Sequence, residues 1–260
     1  MPAYIGTCGW SYPHWKEVFY PKGVKPTEWL EYYAQFFQTV EINNTFYYLP
    51  KDVTFDNWHD RTPEGFVFSV KASRYITHIQ RLVEAIDSLR KFLTASYKLE
   101  EKLGAVLFQL APALKRNDDL LRIFLQDARD RVGRNVRMAF EFRDESWFAN
   151  EVYQILDDHK ACLVFSDWGS LGRMKPVTTD FVYLRRHGPG GDGRRPYSIG
   201  DVHQDGRAIK NWVSRGLDVY AYYNNDYAGN AVKNAKELAD YVGVEWATHH
   251  AIAGGRLFGS

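Results

Sequence analysis

The chain of 260 residues is short of several things, and each shortage closes a class of function. It has two cysteines, Cys8 and Cys162, too few for a disulfide framework and without the paired spacing of a structural zinc site. A reducing compartment suits such a chain. It has no excess of either charge: 33 Lys and Arg stand against 32 Asp and Glu, so the net charge of +1 creates no global field toward nucleic acid or an anionic membrane. Any polyanion site has to be local. No run approaches the ~20 apolar residues of a membrane span, and Ala3-Tyr4-Ile5 reads as a strand rather than as the core of a signal peptide. The expectation is a cytoplasmic protein with no membrane partner. Gly-x-Ser-x-Gly and Cys-x-x-Cys are absent too, which sets aside serine-elbow and dithiol chemistry. What is plentiful is aromatic: 16% of residues, with 8 Trp and 17 Tyr, more than a core requires, so some are expected to line a site.

Short β-rich runs recur at 3–9, 39–43, 66–72, 105–110, 136–142, 161–167, 181–187 and 218–224, and most are separated by a helical pattern. In 28–37, Trp29, Tyr32, Tyr33, Phe36 and Phe37 form one apolar stripe behind a candidate cap, Thr27. Similar stripes run through 82–99, 120–132, 148–159, 202–213 and 231–242, with Asn117 a cap and Gly133 a stop for the 120–132 helix. A shorter one covers 53–59. About eight strand–helix units in a chain of this length predict an α/β protein with one domain, a (β/α)8 TIM barrel. The core spans about 3–243 and the tail 244–260 is loosely held. Two glycines and Pro176 in 168–180 predict a reduced or missing helix after the sixth strand.

Parallel barrel strands all end at one face, where sites are built from their last residues and following loops. Here those endings are polar: Gly6-Thr-Cys-Gly-Trp10, Glu41-Ile-Asn-Asn-Thr45, Ser69-Val-Lys71, Gln109, Glu141-Phe-Arg143, Ser166-Asp-Trp168, Arg185-Arg-His187 and Tyr223-Asn-Asn-Asp226. Alternation with period two places Glu41 with Asn43, Glu141 with Arg143, and Arg185 with His187 on common faces. An ion-pair plug made of Glu41, Lys71, Glu141 and Arg143 is the bland alternative for these charges, and Asp167 has one as a turn cap. Assembling buried charges is costly and an apolar plug would be at least as stable, which favours a site. Gly188-Pro-Gly-Gly-Asp-Gly193 matches the letters of a dinucleotide fingerprint, but no helix opens after it, so no nucleotide cofactor is expected. The loop does carry Arg194 and Arg195, and with 225–230 it is a candidate phosphate site.

The blocks Gly6-Thr-Cys-Gly-Trp-Ser-Tyr12, Phe19-Tyr-Pro21, Val40-Glu-Ile-Asn-Asn-Thr-Phe-Tyr47, Ile76-Thr-His78, Leu107-Phe-Gln-Leu110, Phe140-Glu-Phe-Arg143 with Ser146-Trp147, Tyr183-Leu-Arg-Arg-His-Gly188 and Tyr223-Asn-Asn-Asp226 together resemble the YecE-like family, domain-of-unknown-function family 72. The resemblance runs in order from about Tyr4 to Val242. It implies a one-domain TIM barrel with the strand-end residues forming a polar pocket, and it implies no established reaction. The chain departs from the family pattern at Cys8, where members often carry Ser, which weakens any thiol chemistry.

The expected function is an enzyme acting on a small anionic or phosphorylated substrate, with a nucleic-acid phosphodiester among the candidates. In this reading Lys71, Arg143 and Arg185 clamp the anion, helped by Arg74 and Arg194, with His78 nearby. Glu41 or Glu141 is the general base and Asp167 or His187 moves a second proton. Asn43, Asn224, Trp10, Tyr12, Trp15, Tyr47, Trp147 and Trp168 complete the binding surface. Arginines interleaved among so few candidate ligands argue against a metal. The alternatives are a carbohydrate-active enzyme using Glu41 and Glu141 as paired carboxylates, and a non-catalytic module for a small anion.

Overall fold

The computed structural model describes residues 2–131, 136–168 and 175–244. Strands β1 (Ala3–Cys8), β2 (Thr39–Ile42), β3 (Val67–Lys71), β4 (Leu103–Gln109), β5 (Arg137–Glu141), β6 (Cys162–Leu163), β7 (Phe165–Ser166), β8 (Phe181–Arg186) and β9 (Asp218–Tyr223) form one all-parallel sheet. Its order is β6-β5-β4-β3-β2-β1-β9-β8-β7. The two ends of that order are halves of the predicted sixth strand, interrupted at Val164: β6 pairs with β5 and β7 with β8. Nine strands therefore describe a nearly closed α/β barrel.

Helices α1 (Trp29–Ala34), α2 (Asp52–Asp60), α3 (Ile86–Ser96), α4 (Asp118–Arg131), α5 (Asn150–Asp158), α6 (Ile199–Ser214) and α7 (Asn230–Val242) return the chain along the outside. Several boundaries differ from the pattern for local reasons. Thr27 lies within a 3-10 turn, and Glu28 instead closes a reciprocal cap with its carboxylate accepting from the Lys25 N–H at 2.8 Å. The stripe at 82–99 becomes helix only from Ile86, because Arg81, Leu82 and Glu84 sit at positive φ. Asn117 does cap α4, its Oδ1 accepting from the Leu120 N–H at 2.9 Å. Between β7 and β8 the described residues contain no helix; 169–174, the stop at Gly133 and the tail from 245 lie outside the described residues.

Two apolar cores result. One lies between sheet and helices and holds most of the aromatic residues, including the α1 stripe. The other fills the barrel: Cys8, Val67, Ala105, Leu107, Ala139, Cys162, Val164, Phe181, Tyr183, Tyr220 and Tyr222. Both cysteines are free thiols. Cys8 ends β1, and Cys162 begins β6 level with Ala139 in the middle of β5. Gly6 permits β1 to approach β2, since a Cβ there would stand 2.3 Å from the Thr39 carbonyl oxygen. Because that obstacle is backbone, Gly6→Ala is expected to destabilise the protein by about 1–3 kcal/mol through overpacking, read from the midpoint of urea unfolding; an unchanged midpoint would mean that β1 and β2 separate freely.

Candidate active site

Alternation turns Glu41, Ser69, Lys71, Glu141, Tyr183 and Arg185 into the barrel, and the polar members fill its upper layers. Arg185 is the centre of that arrangement, 2% exposed. Its Nε and Nη2 donate to Glu41 at 2.9–3.1 Å, and its Nη1 donates to Glu141 Oε2 at 3.1 Å. Tyr183 OH donates to Glu41 Oε2 at 2.7 Å. Glu141 Oε1 accepts from Ser166 Oγ at 2.8 Å, lies 2.8 Å from Arg143 Nη2 and 2.9 Å from His187 Nε2.

These contacts decide the charges. Burial pushes Glu41 up, but the Arg185 charge and hydrogen bonds from Arg185 and Tyr183 outweigh it, so its carboxyl stays below the usual range. Glu141 goes well below, because Arg185, Arg143 and His187 together overcome its burial. Burial, then repulsion from Arg185, lowers His187 and favours its neutral form. His187 Nε2 lies among three groups, 2.9 Å from Glu141 Oε1 and 3.0 Å from both Arg143 Nη2 and Arg185 Nη1, and its Nδ1 lies 3.2 Å from Asn224 Nδ2. Cys8 is a thiol, pushed well up by burial and by Glu41 beneath the same mouth.

Above this layer opens a cavity of about 750 Å³, lined by Trp10, Tyr12, Asn43, Asn44, Phe46, Tyr47, Lys71, Arg74, His78, Gln109, Arg143, Trp168, Arg185, His187 and Asn224 among others. Arg143 stacks its guanidinium 4.1 Å from the centre of the Trp168 ring. Among the described residues its Nε is buried without a partner, as are Asn43 Oδ1 and Asn44 Oδ1. Lys71 Nζ lies 4.2 Å from the centre of the Phe46 ring. Burial and repulsion from Arg185 pull Lys71 down to about 8, against partial support from Glu41 and Glu141.

The model of the family described as "Protein of unknown function DUF72" matches residues 4–254. The chain belongs to the DUF72 family. UPF0759 protein YunF of Bacillus subtilis is 26% identical over 94% of the chain and 96% of its own length. UPF0759 protein YecE of Escherichia coli is 35% identical over a shorter stretch, 41% of this chain and 37% of YecE. Among solved structures, a DUF72 family protein of Thermotoga maritima superposes with a TM-score of 0.79 at 27% identity, covering 94% of this chain and all of that one. A DUF72 protein of Enterococcus faecalis matches at 0.79 and 18% identity, which bears on the fold alone.

In this DUF72 barrel the expected site residues fall into two groups. Asn43, Lys71, Arg143, Arg185, His187, Asn224, Trp10, Tyr12, Tyr47 and Trp168 share the cavity wall. Glu41 and Glu141 lie beneath it, and Asp167 lies beside it as a brace, accepting from the His187 backbone N–H at 2.8 Å and from the Tyr197 hydroxyl. Trp147 and Trp15 are core residues: Trp147 is fully buried, stacked on Phe142 at 4.7 Å with its Nε1–H on the Leu114 carbonyl, and Trp15 donates to the Asp226 carbonyl. The glycine loop and the start of α7 are tied to each other, with Asn225 and Asn230 donating to the Arg195 and Arg194 carbonyls, and Arg194 and Arg195 do not line the cavity.

Wall residues left out of the expected set include Gln109, Asn44 and Phe46. Gln109 carried the strand-end signal, whereas Phe46 sits in a turn that no periodicity marks. Among the described residues one group, His59, Glu100 and Glu101, has spacing for a metal; it lies at the helix-to-strand end of the barrel, and both His59 nitrogens already face carboxylates. No helix among the described residues is long and apolar enough to cross a membrane.

Proposed function

We propose that this protein is an enzyme acting on a small phosphate-bearing substrate held in the cavity at the strand C-termini. The observation that carries the reading is the division of charge: both buried carboxylates lie beneath the cavity and are bound by Arg185, while Lys71, Arg74, Arg143 and Arg185 line it. An anion entering there meets cations rather than carboxylates. The orphaned Arg143 Nε–H adds a donor, and the orphaned Asn43 and Asn44 oxygens suit hydroxyl or amine donors elsewhere on the same ligand. The roles expected of Glu41 and Glu141 change accordingly. Held by Arg185, they set the field and the orientation of His187 rather than taking a substrate proton, which also weakens the paired-carboxylate reading. A nucleic-acid strand is the second reading, favoured by Tyr47 and Trp168, 71% and 39% exposed at the rim and available for base stacking.

Calorimetric titration with ribose 5-phosphate, ribose and a short single-stranded oligonucleotide tests both. The phosphorylated sugar is expected to bind and ribose to bind far more weakly. Arg143→Lys keeps the charge but loses the planar fork, and should weaken the phosphate ligand by about 10- to 100-fold, the worth of a hydrogen bond to a charged group. Equal binding of both sugars would overturn the phosphate reading. Binding of the oligonucleotide alone would favour the strand.

A further inference from the structure

Lysine at the end of a barrel strand, set between carboxylates, would ordinarily serve as their ion-pair partner. Here Arg185 has taken that position. Its guanidinium bridges Glu41 and Glu141, and Arg143 pairs with Glu141 as well. Lys71 is 9% exposed and makes no hydrogen bond or ion pair with any described residue; the ammonium rests on the face of Phe46 at 4.2 Å. The strand beneath it is fixed, since Thr45 Oγ1 donates to the Lys71 carbonyl at 2.7 Å.

The same Phe46 ring carries His78 on its other contact, edge-on with centroids 5.0 Å apart. His78 belongs to the π-helical turn Tyr75–Ile79, the kind of local irregularity that often marks a working site. Its tautomer follows from its neighbour. Thr77 Oγ1 lies 3.3 Å from the Ser73 carbonyl and 2.9 Å from His78 Nδ1; with the hydroxyl proton on the carbonyl it accepts from Nδ1–H, and Nε2 then keeps its lone pair with no partner among the described residues. His187, the other histidine on the wall, has both nitrogens engaged. A free amine source and a free imidazole base therefore flank one aromatic ring on the wall of one cavity.

We propose that Lys71 is a nucleophilic amine that forms an imine with a phosphorylated aldehyde or ketone, with His78 as its proton carrier. This rests on the phosphate reading for the choice of substrate, with Arg143 and Arg74 as the anchor. The ammonium first gives a proton to His78 Nε2. The amine lone pair then attacks the carbonyl carbon, a C–N bond forms, the carbonyl π pair moves to oxygen, and one proton passes from the new ammonium nitrogen to that oxygen to give the carbinolamine. Loss of that oxygen as water, with a proton returned by His78, leaves the C=N bond; one water is released and nothing is oxidised or reduced. Arginine cannot replace lysine here, because its guanidinium does not deprotonate. The depression of Lys71 to about 8 supports the assignment, giving a free-amine fraction more than about a hundredfold above that of an ordinary lysine at neutral pH.

The test is reductive trapping on the full chain. Glyceraldehyde 3-phosphate and glyceraldehyde are each incubated with the protein and cyanoborohydride, and adducts are located by peptide mass spectrometry. The expected result is one dominant adduct on Lys71, at least about tenfold above any other lysine, favouring the phosphorylated compound and suppressed by inorganic phosphate. Lys71→Met and Lys71→Arg should both lose it while keeping the parent circular dichroism spectrum. His78→Gln should slow trapping at Lys71 while keeping the parent circular dichroism spectrum. Labelling of Lys71 no stronger than that of other lysines overturns the proposal, and if phosphate still binds, the phosphate reading survives it. A dominant Lys71 adduct that forms equally with glyceraldehyde and ignores phosphate keeps the nucleophile and overturns the phosphate reading.

Discussion

Replacing Arg185 with methionine is expected to remove about 3–5 kcal/mol of stability at pH 7, the usual cost of deleting one partner from a buried ion pair. Methionine fills much of the arginine stem's volume, so the loss is electrical rather than steric. Among the described residues Glu41 would keep the Tyr183 hydroxyl and the Cys8 thiol, and Glu141 would keep Ser166, Arg143 and His187. The pH dependence carries the sign. In the parent protein both carboxyls sit below their unfolded values, so their contribution is complete above the ordinary carboxylate range and is lost as pH falls through the lower folded values. In the variant, burial raises Glu41 without a guanidinium to offset it, so the penalty is greatest at neutral pH and shrinks as acid protonates the group. Urea unfolding of parent and variant at pH 7 and pH 4.5 measures this. A deficit that stays constant between the two would show that Arg185 matters as volume. Adding Glu41→Gln to the variant should recover part of the loss at pH 7.

Trp147→Ala should also cost about 3–5 kcal/mol, as a large aromatic removed from a closed core. It should leave phosphate affinity within error of the parent. Trp168→Ala is expected to behave in the opposite way: a small stability change of up to about 1 kcal/mol for an exposed cation–π contact, with weakened ligand binding because the Arg143 guanidinium loses the ring that orients it. Unfolding midpoints and calorimetric titration on the two variants separate core from wall. If Trp147→Ala were the one to abolish binding while remaining stable, the placement of the two indoles would be wrong.

These two tryptophans also mark what could be read from the chain. Both follow a polar strand ending, and nothing in spacing distinguishes the one that folds back onto Phe142 from the one that faces solvent. The barrel itself was legible, because period-two strands alternating with amphipathic stripes leave few other architectures. Alternation also assigned the inward face correctly for Glu41, Lys71, Glu141, Arg143, Arg185 and His187. It could not assign height. Cys8 is level with Glu41 across β1 and β2, and Glu41 with Ser69 across β2 and β3, whereas Asn43 and Lys71 stand one residue pair, about 6–7 Å, further along their strands. That one step separates a buried counter-ion from a cavity wall, and it depends on the stagger between strands, which no single strand encodes. Lys71 was harder still: its lack of a partner follows from where the Arg185 guanidinium goes, a long-range competition invisible in local pattern.

The break at Val164 bears on how the molecule behaves at high concentration. A sheet that does not join itself leaves two borders of unpaired peptide groups, and long flat borders recruit strands from other molecules into aggregates. Here the two borders belong to β6 and β7, each only two residues long, consecutive in the chain and turned toward different neighbours. Within the chain the Leu163 N–H already donates to Thr178 Oγ1 and the Val164 and Ser166 carbonyls accept from Lys175 Nζ, which leaves an incoming strand little to pair with. The interruption thus leaves the barrel incompletely joined while denying other chains a template for cross-β growth.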